Sequence, residues 1–275
     1  MLTVKKIAHD PTAGFGCCVA ALVALLCGCA SNSEPAKPTT FRVMTYNIHH
    51  GEGLDGKVDL RRIAKLIRHE GADIVALQEV DKGVERTRQR DLAAELATLT
   101  GLTCVFSNNF NFQGGQYGNA VLTRFPVLTA TNLHYQMLRP NEQRGLLQLL
   151  LEIHGRRLVF MTTHIDYRPD DAERLMNIEQ IGQVAKPYAD QPVIVSGDFN
   201  ATPGSRTHSN MKELFADSWE LIGSGDGFTF PADSPRTRID YLWVSRNTAI
   251  RPVRIWVPSS AASDHRPVVA EFEIR

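Results

Sequence analysis

Eight side chains that could bind a cation or move a proton stand beside apolar runs in this 275-residue chain. Asn47 closes FRVMTYN, Glu79 follows DIVALQ, His164 follows VFMTT, and Asp198 and Asn200 follow VIVS. Asp240 opens DYLWV, and Asp264 and His265 lead into the last apolar run. The set is carboxylates, amides and imidazoles, with almost nothing soft. A few hard oxygen ligands suit Mg²⁺ or Mn²⁺, which keep several waters and lean on substrate phosphate oxygens. In Gly197-Asp198-Phe199-Asn200, residues two apart on an extended chain face the same way. Asp198 and Asn200 are therefore expected to point into a cleft while Phe199 packs behind.

Taken singly, each residue has a plainer use. Asn47 suits a strand-end turn, Glu79 before Asp81 and Lys82 suits a solvated loop, and Asp198 with Asn200 suits an Asx turn. Asp240 could pair with Arg238, and Asp264 could cap the last strand. A lone His164 or His265 could be a hydrogen-bonded structural residue. Their joint occurrence at apolar strands favours one shared cleft.

The elements that would position them mix strands and helices. Phe41 to Asn47, Asp73 to Gln78, Ala120 to Leu122 and Pro192 to Ser196 read as strands. Leu146 to Ile153 and Leu158 to Thr162 read as a hairpin turning at His154-Gly155. Asp240 to Val244, Ile250 to Val257 and Val268 to Ile274 add three more. Helical spacing marks Val58 to His69, Asp91 to Thr100 with Gly101 as its stop, and Asp171 to about Tyr188. Helices interleaved with many strands predict layered sheets covered by helices.

The N-terminus is set apart. Lys5 and Lys6 precede an uncharged run from Gly14 to Leu26, too short to span a bilayer but suited to a signal segment. The run ends in Leu26-Cys27-Gly28-Cys29-Ala30, similar to a bacterial lipobox with Cys29 as the lipidated residue. An ordinary secretory signal is the alternative. Residues 1–29 are thus expected to be a lipoprotein signal, 30–40 a flexible polar tether, and 41–275 one domain. Four of the five cysteines fall in the signal, so Cys104 remains alone, and an exported domain then has no internal disulfide. Ala30 and Ser31 lack the Asp that marks inner-membrane retention. The expected location is a membrane, on the periplasmic side of the outer one in a Gram-negative host.

Hydrophobic residues at 43% and charged residues at 22% exclude a disordered or collagen-like chain. Lys+Arg and Asp+Glu number 30 each, and the pI is near 7.1. A protein that holds nucleic acid by bulk charge would have a pI above about 9. No stable nucleic-acid binding is expected, and the domain is expected to be a monomer.

The ordered set Thr45-Tyr46-Asn47, Gln78-Glu79-Val80, Thr163-His164, Gly197-Asp198-Phe199-Asn200, Ile239-Asp240-Tyr241 and Ser263-Asp264-His265-Arg266-Pro267 resembles the endonuclease/exonuclease/phosphatase superfamily. The resemblance implies an α/β fold, a four-layer α/β/β/α sandwich of two packed mixed sheets flanked by helices. It implies Glu79 and Asn47 as metal ligands, with Asp264 completing the set around Mg²⁺ or Mn²⁺. Asp240 would orient His265, Asp198 would position or deprotonate the attacking water, and Asn200 and His164 would donate to phosphoryl oxygens. His265 stands as either general base or electrostatic stabiliser. The motifs around His49-His50-Gly51, Arg86, Tyr117-Gly118-Asn119-Ala120 and Glu142-Gln143-Arg144-Gly145 are similar to the phosphoesterase domain of GPI-anchor remodelling proteins. Asn119, Arg86, Arg144 and His50 are accordingly the candidates for holding substrate. Deoxyribonuclease-like relatives have Arg where this chain has Asp81.

Three functions follow as expectations. The first is an exported phosphodiesterase on a lipid headgroup, sugar phosphate or nucleotide, working by direct in-line attack of water. The others are an extracytoplasmic nuclease and a non-catalytic binding module on the same fold.

Overall fold

The computed structural model describes residues 39–247 and 249–275. The signal segment, Cys29 and the tether up to residue 38 lie outside the described residues. Thr39 and Thr40, assigned to the tether from sequence, instead begin the first strand.

The first six elements are β1 (Thr39–Asn47), α1 (Leu60–Glu70), β2 (Ile74–Lys82), α2 (Leu92–Thr100), β3 (Thr103–Phe112) and β4 (Gly115–Thr123). Next come β5 (Val127–His134), β6 (Gly145–Ile153), β7 (Arg156–His164), α3 (Ala172–Ala185) and β8 (Val193–Asp198). The chain ends with α4 (Arg206–Leu214), β9 (Ala216–Asp217), α5 (Ser218–Ile222), β10 (Asp240–Val244), β11 (Ile250–Trp256) and β12 (Val268–Ile274). They form two six-stranded sheets, ordered β11-β12-β1-β2-β4-β3 and β5-β6-β7-β8-β10-β9. Both are mixed: β1 runs parallel to β2 and β7 to β8, while the other pairs are antiparallel.

Strand alternation builds the layers. Phe41, Val43, Ile74 and Ala76 from one sheet meet Leu158, Phe160, Ile194 and Leu242 from the other in the central core. The intervening Met44, Tyr46, Val75 and Leu77 face α1 and α2. Val159, Met161, Val195 and Trp243 turn outward toward α3 and α4. The result is the α/β/β/α sandwich that the resemblance implied. Asp59 caps α1 by accepting from Arg61 N, Asp91 caps α2 by accepting from Ala94 N, and Gly71 and Gly101 end them in the left-handed region.

Five elements were not visible in the sequence: β3, β5, β9, α4 and α5, of which β9 has two residues and α5 five, too short to show either period. β5 is an edge strand with most of its residues exposed, so it carries no apolar run. β3 is the other sheet's edge and continues through polar Ser107-Asn108-Asn109. α4 buries only Thr207, His208 and Met211, which gives no apolar stripe.

Candidate active site

Sheet register brings the strand ends to one edge of the sandwich. Asn47 ends β1 opposite Gln78 of β2. In the second sheet Asp198 ends β8 with His164 of β7 on one side and Asp240 of β10 on the other. Beneath them the Gln78 amide spans the sheets, donating to Thr45 Oγ1 at 3.2 Å and to Thr162 Oγ1 at 3.0 Å. Above it Asn47 Nδ2 donates to Glu79 Oε1 at 2.9 Å and to Asp198 Oδ2 at 3.0 Å. One amide therefore couples the proposed metal side to the proposed water side.

Glu79 does not occupy the loop expected from sequence. It lies inside β2 at a bulge between Leu77 and Val80, with φ of +61°. The extra residue re-aims the side chain out of the strand's alternation and into the cleft. The GDFN segment also differs from a straight extension. Gly197 has φ of +140°, and a Cβ there would sit 1.9 Å from the Thr163 carbonyl oxygen. Asn200 is left-handed at φ +43°, and its N–H donates to Asp198 Oδ1 at 2.9 Å. The segment is thus an Asx turn and a site loop at once, with Phe199 packed behind against Tyr241 and Trp243.

His265 donates from Nδ1 to Asp240 Oδ2 at 2.9 Å, and its Nε2 lies 3.7 Å from Asp198 Oδ2. Arg238 pairs with Asp217 at 2.7 Å, which leaves Asp240 to the histidine. The Ser263-Asp264-His265 turn is pinned by Ser263 Oγ, which donates to the Asn47 carbonyl at 2.7 Å and accepts from His265 N at 3.2 Å. Burial alone would lower the His265 pKa, but the charges of Asp240 and Asp198 outweigh it and raise the imidazole to about 10. Burial and then the Asp240 charge push the Asp198 carboxyl up, against the opposing pull of His265. His164 runs the other way. Burial, then Arg144, then His265 hold it well below its ordinary value, so it is neutral. Its Nδ1 lies 3.1 Å from Arg144 Nη1 and its Nε2 3.0 Å from Asn200 Nδ2.

Glu79, Asp264, Asp198, Asn200, His164 and His265 open into one cavity of about 310 Å³. The donor set fits a divalent cation. Glu79 and Asp264 present carboxylates to the cavity, and Asn47 Oδ1, which accepts from His49 N at 3.1 Å, keeps a second lone pair. His49, His50 and Glu79 also bring ligand atoms within 4.8 Å of one another. His49 and His50 share the left-handed backbone of Glu79 and Asn200, at φ +45° and +43°.

A family model described as Endonuclease/Exonuclease/phosphatase family matches residues 44–265. The chain belongs to this family. Its members are metal-dependent phosphoesterases, and the two packed mixed sheets flanked by helices match the family's fold. Among similar proteins, the uncharacterized protein YbhP of Escherichia coli is 28% identical over 253 residues, covering 86% of this chain and 97% of YbhP. A family member from Bacteroides thetaiotaomicron superposes with a TM-score of 0.72 at 19% identity, over 87% of this chain and 99% of the other. The mannosyl-6-phosphatase of Bacteroides thetaiotaomicron superposes with a TM-score of 0.70 at 19% identity, over 84% of this chain and 99% of that one.

Within this endonuclease/exonuclease/phosphatase frame, the four substrate-side candidates divide. Arg86 and Arg144 line the cavity, whereas Asn119 and His50 do not. Asn119 is buried and its amide approaches the Gly145 carbonyl at 3.4 Å, behind Arg144. His50 is buried with Nδ1 lacking a hydrogen-bond partner among the described residues and Nε2 3.5 Å from Glu52. Arg86 is tied by Nε and Nη2 to the buried Asp81 carboxylate at 2.8 Å each, over the rings of Phe112 and Tyr117. Arg144 is tied to Glu142 at 2.8 Å and faces Tyr167. The aromatic wall of Phe110, Phe112, Tyr117, Tyr167 and Phe230 was missed. The Phe110-Asn111-Phe112 alternation was the available signal, because residues two apart on a strand share a face.

Proposed function

We propose that this chain is an exported hydrolase of small phosphate esters, a phosphodiesterase on a lipid headgroup, sugar phosphate or nucleotide. The carrying observation is the Asp240–His265–Asp198 array, joined through Asn47 to Glu79 across one cleft. Glu79, Asn47 and Asp264 would hold Mg²⁺ or Mn²⁺. The bound cation would supply neutralisation of charge on the phosphoryl oxygens. Asp198, with a pKa raised by burial and by Asp240, orients the attacking water and takes its proton. His265, kept cationic by Asp240, stabilises charge gathering at phosphorus, and His164 and Asn200 donate to the phosphoryl oxygens. Attack is in line, with no covalent intermediate.

The cavity favours a small ester over a polymer. Both arginines in its wall are already matched by Asp81 and Glu142, so the wall carries no spare positive charge for a nucleic-acid backbone. Aromatic rings suit a sugar or a base. The likeness in fold to a mannosyl-6-phosphatase supports a sugar phosphate. The Leu26-Cys27-Gly28-Cys29 motif supports export and a lipid anchor at Cys29, on the periplasmic side of the outer membrane in a Gram-negative host.

The test is a panel of sugar phosphates, nucleotides, sphingomyelin-type lipids and plasmid DNA, assayed after EDTA and again after adding Mg²⁺ or Mn²⁺. Metal-restored hydrolysis of a small ester is expected. Activity that survives exhaustive EDTA, or cleavage of DNA alone, would overturn the reading. Cys29→Ser should release the chain from membranes or strand its precursor; a wild-type mature chain free of acyl groups would refute the anchor.

A further inference from the structure

Inside this site, His164 faces two donors at once. Arg144 Nη1 lies 3.1 Å from Nδ1, and Asn200 Nδ2 lies 3.0 Å from Nε2. A neutral imidazole has one acceptor nitrogen and one N–H, and an imidazolium has no acceptor at all. One of the two neighbours must therefore meet a hydrogen rather than a lone pair. An arginine has no acceptor to offer and keeps its charge. Arg144 is also fixed in place: it is 5% exposed, its Nη2 sits 2.8 Å from Glu142 Oε2, and Tyr167 covers its face. The Asn200 amide has another partner, the Ile165 carbonyl, to which Nδ2 donates at 3.2 Å. Asn200 is the contact that yields.

We propose that Arg144 is a positioning residue that locks His164 in one neutral tautomer, with Nδ1 bare and Nε2 protonated. Two N–H donors, His164 Nε2 and Asn200 Nδ2, then stand 3.0 Å apart with no acceptor between them. Asp198 Oδ2, at 3.5 Å from Nε2, is too distant to satisfy that hydrogen well. One N–H of the Asn200 amide is given to the Ile165 carbonyl; its second N–H and the His164 Nε2–H, left without an acceptor, form a cradle for an anionic oxygen. Arg144 thus acts on the substrate through His164. The lock is a property of the free protein, while the occupant of the cradle, a phosphoryl oxygen, rests on the function proposed above.

The experiment records long-range ¹H–¹⁵N spectra of the full chain, labelled at histidine and stripped of metal. The chain has nine histidines, and His164→Gln assigns the resonance by its loss. Wild-type His164 should show the Nε2–H pattern from pH 6 to pH 8. Arg144→Met removes the donor at Nδ1, so the Asn200 contact should win and the pattern should invert to Nδ1–H. Asn200→Ala should leave the wild-type pattern intact, which keeps the test open if Arg144→Met does not fold. Titration with inorganic phosphate should move the wild-type Nε2–H resonance, with affinity at least ten-fold weaker in Arg144→Met. A wild-type Nδ1–H tautomer, a cationic His164 at pH 7, or an unchanged tautomer in folded Arg144→Met would overturn the lock. The expected tautomers with no response to phosphate would uphold the lock and count against the phosphoester reading instead.

Discussion

His265 donates to Asp240 Oδ2 at 2.9 Å, while the other oxygen of that carboxylate, Oδ1, has no hydrogen-bond partner among the described residues. The buried carboxylate is therefore committed to the imidazole alone, and the two are expected to act as a unit. His265→Ala and Asp240→Asn should each lower kcat by roughly a hundred- to ten-thousand-fold. The double variant should be little worse than the worse single one, because residues that act as a unit are non-additive. Losses that simply multiply in a double-mutant cycle would break the assignment.

The same pair sets a pH dependence of stability. His265 is raised from its ordinary 6.5 to about 10 by the Asp240 and Asp198 charges, against the effect of burial. A raised pKa means the folded state binds the proton more tightly, so its contribution is complete below pH 6.5 and is lost as pH rises through 10. Metal-free protein should accordingly lose stability across that window. Urea midpoints at intervals of one pH unit should show the slope shrinking in Asp240→Asn; an identical slope in that variant would contradict the pairing.

Glu79 should separate metal affinity from folding. Its side chain faces the cavity from a bulge that glutamine can occupy equally well. Glu79→Gln should weaken Mn²⁺ binding by calorimetry at least ten-fold, with a urea midpoint close to wild type. Unchanged Mn²⁺ affinity would remove Glu79 from the ligand set.

Arg86 and Asp81 test the wall. Asp81 is fully buried and holds both prongs of the guanidinium. Arg86→Met should cost about 3 kcal/mol by leaving a buried carboxylate unpaired. Adding Asp81→Leu should recover most of that loss, because the stranded charge goes with it. A single variant within about 0.5 kcal/mol of wild type would show that the pair is not part of the framework.

What could be read in advance follows from where each signal comes from. Both buried parallel pairs announced themselves through runs such as Asp73 to Gln78, and α1 and α2 through helical spacing, with Gly101 as the stop of α2. The edge strand β11 was read, but β5 was not because most of it is exposed, nor β3 because it continues through polar Ser107-Asn108-Asn109, nor β9 because it has two residues. The eight strand-end residues all reach one sheet edge, and six of them line the cavity. Asn47 and Asp240 stand just behind, each bonded to residues that do. Asn119 and His50 came with nearby motifs, and sequence proximity to a site does not fix which way a side chain points. The bulge at Glu79 was illegible for a related reason: a register shift is a property of two strands, and neither strand encodes it alone.

His49, His50, Glu79 and Asn200 all hold left-handed backbone without being glycine: Glu79 lies within β2, His49 and His50 follow β1, and Asn200 follows β8 of the other sheet. Each such residue costs about 1 kcal/mol or more, which the rest of the fold must absorb. Glycine at any of the four would relieve that cost, and at Glu79 and Asn200 it would delete a side chain that faces the cavity in the same step. Directed evolution of this chain for heat resistance alone should therefore enrich glycine at these positions and return sturdy, inert proteins. A thermostability campaign would need an activity screen in every round, or a fixed codon at each of the four sites.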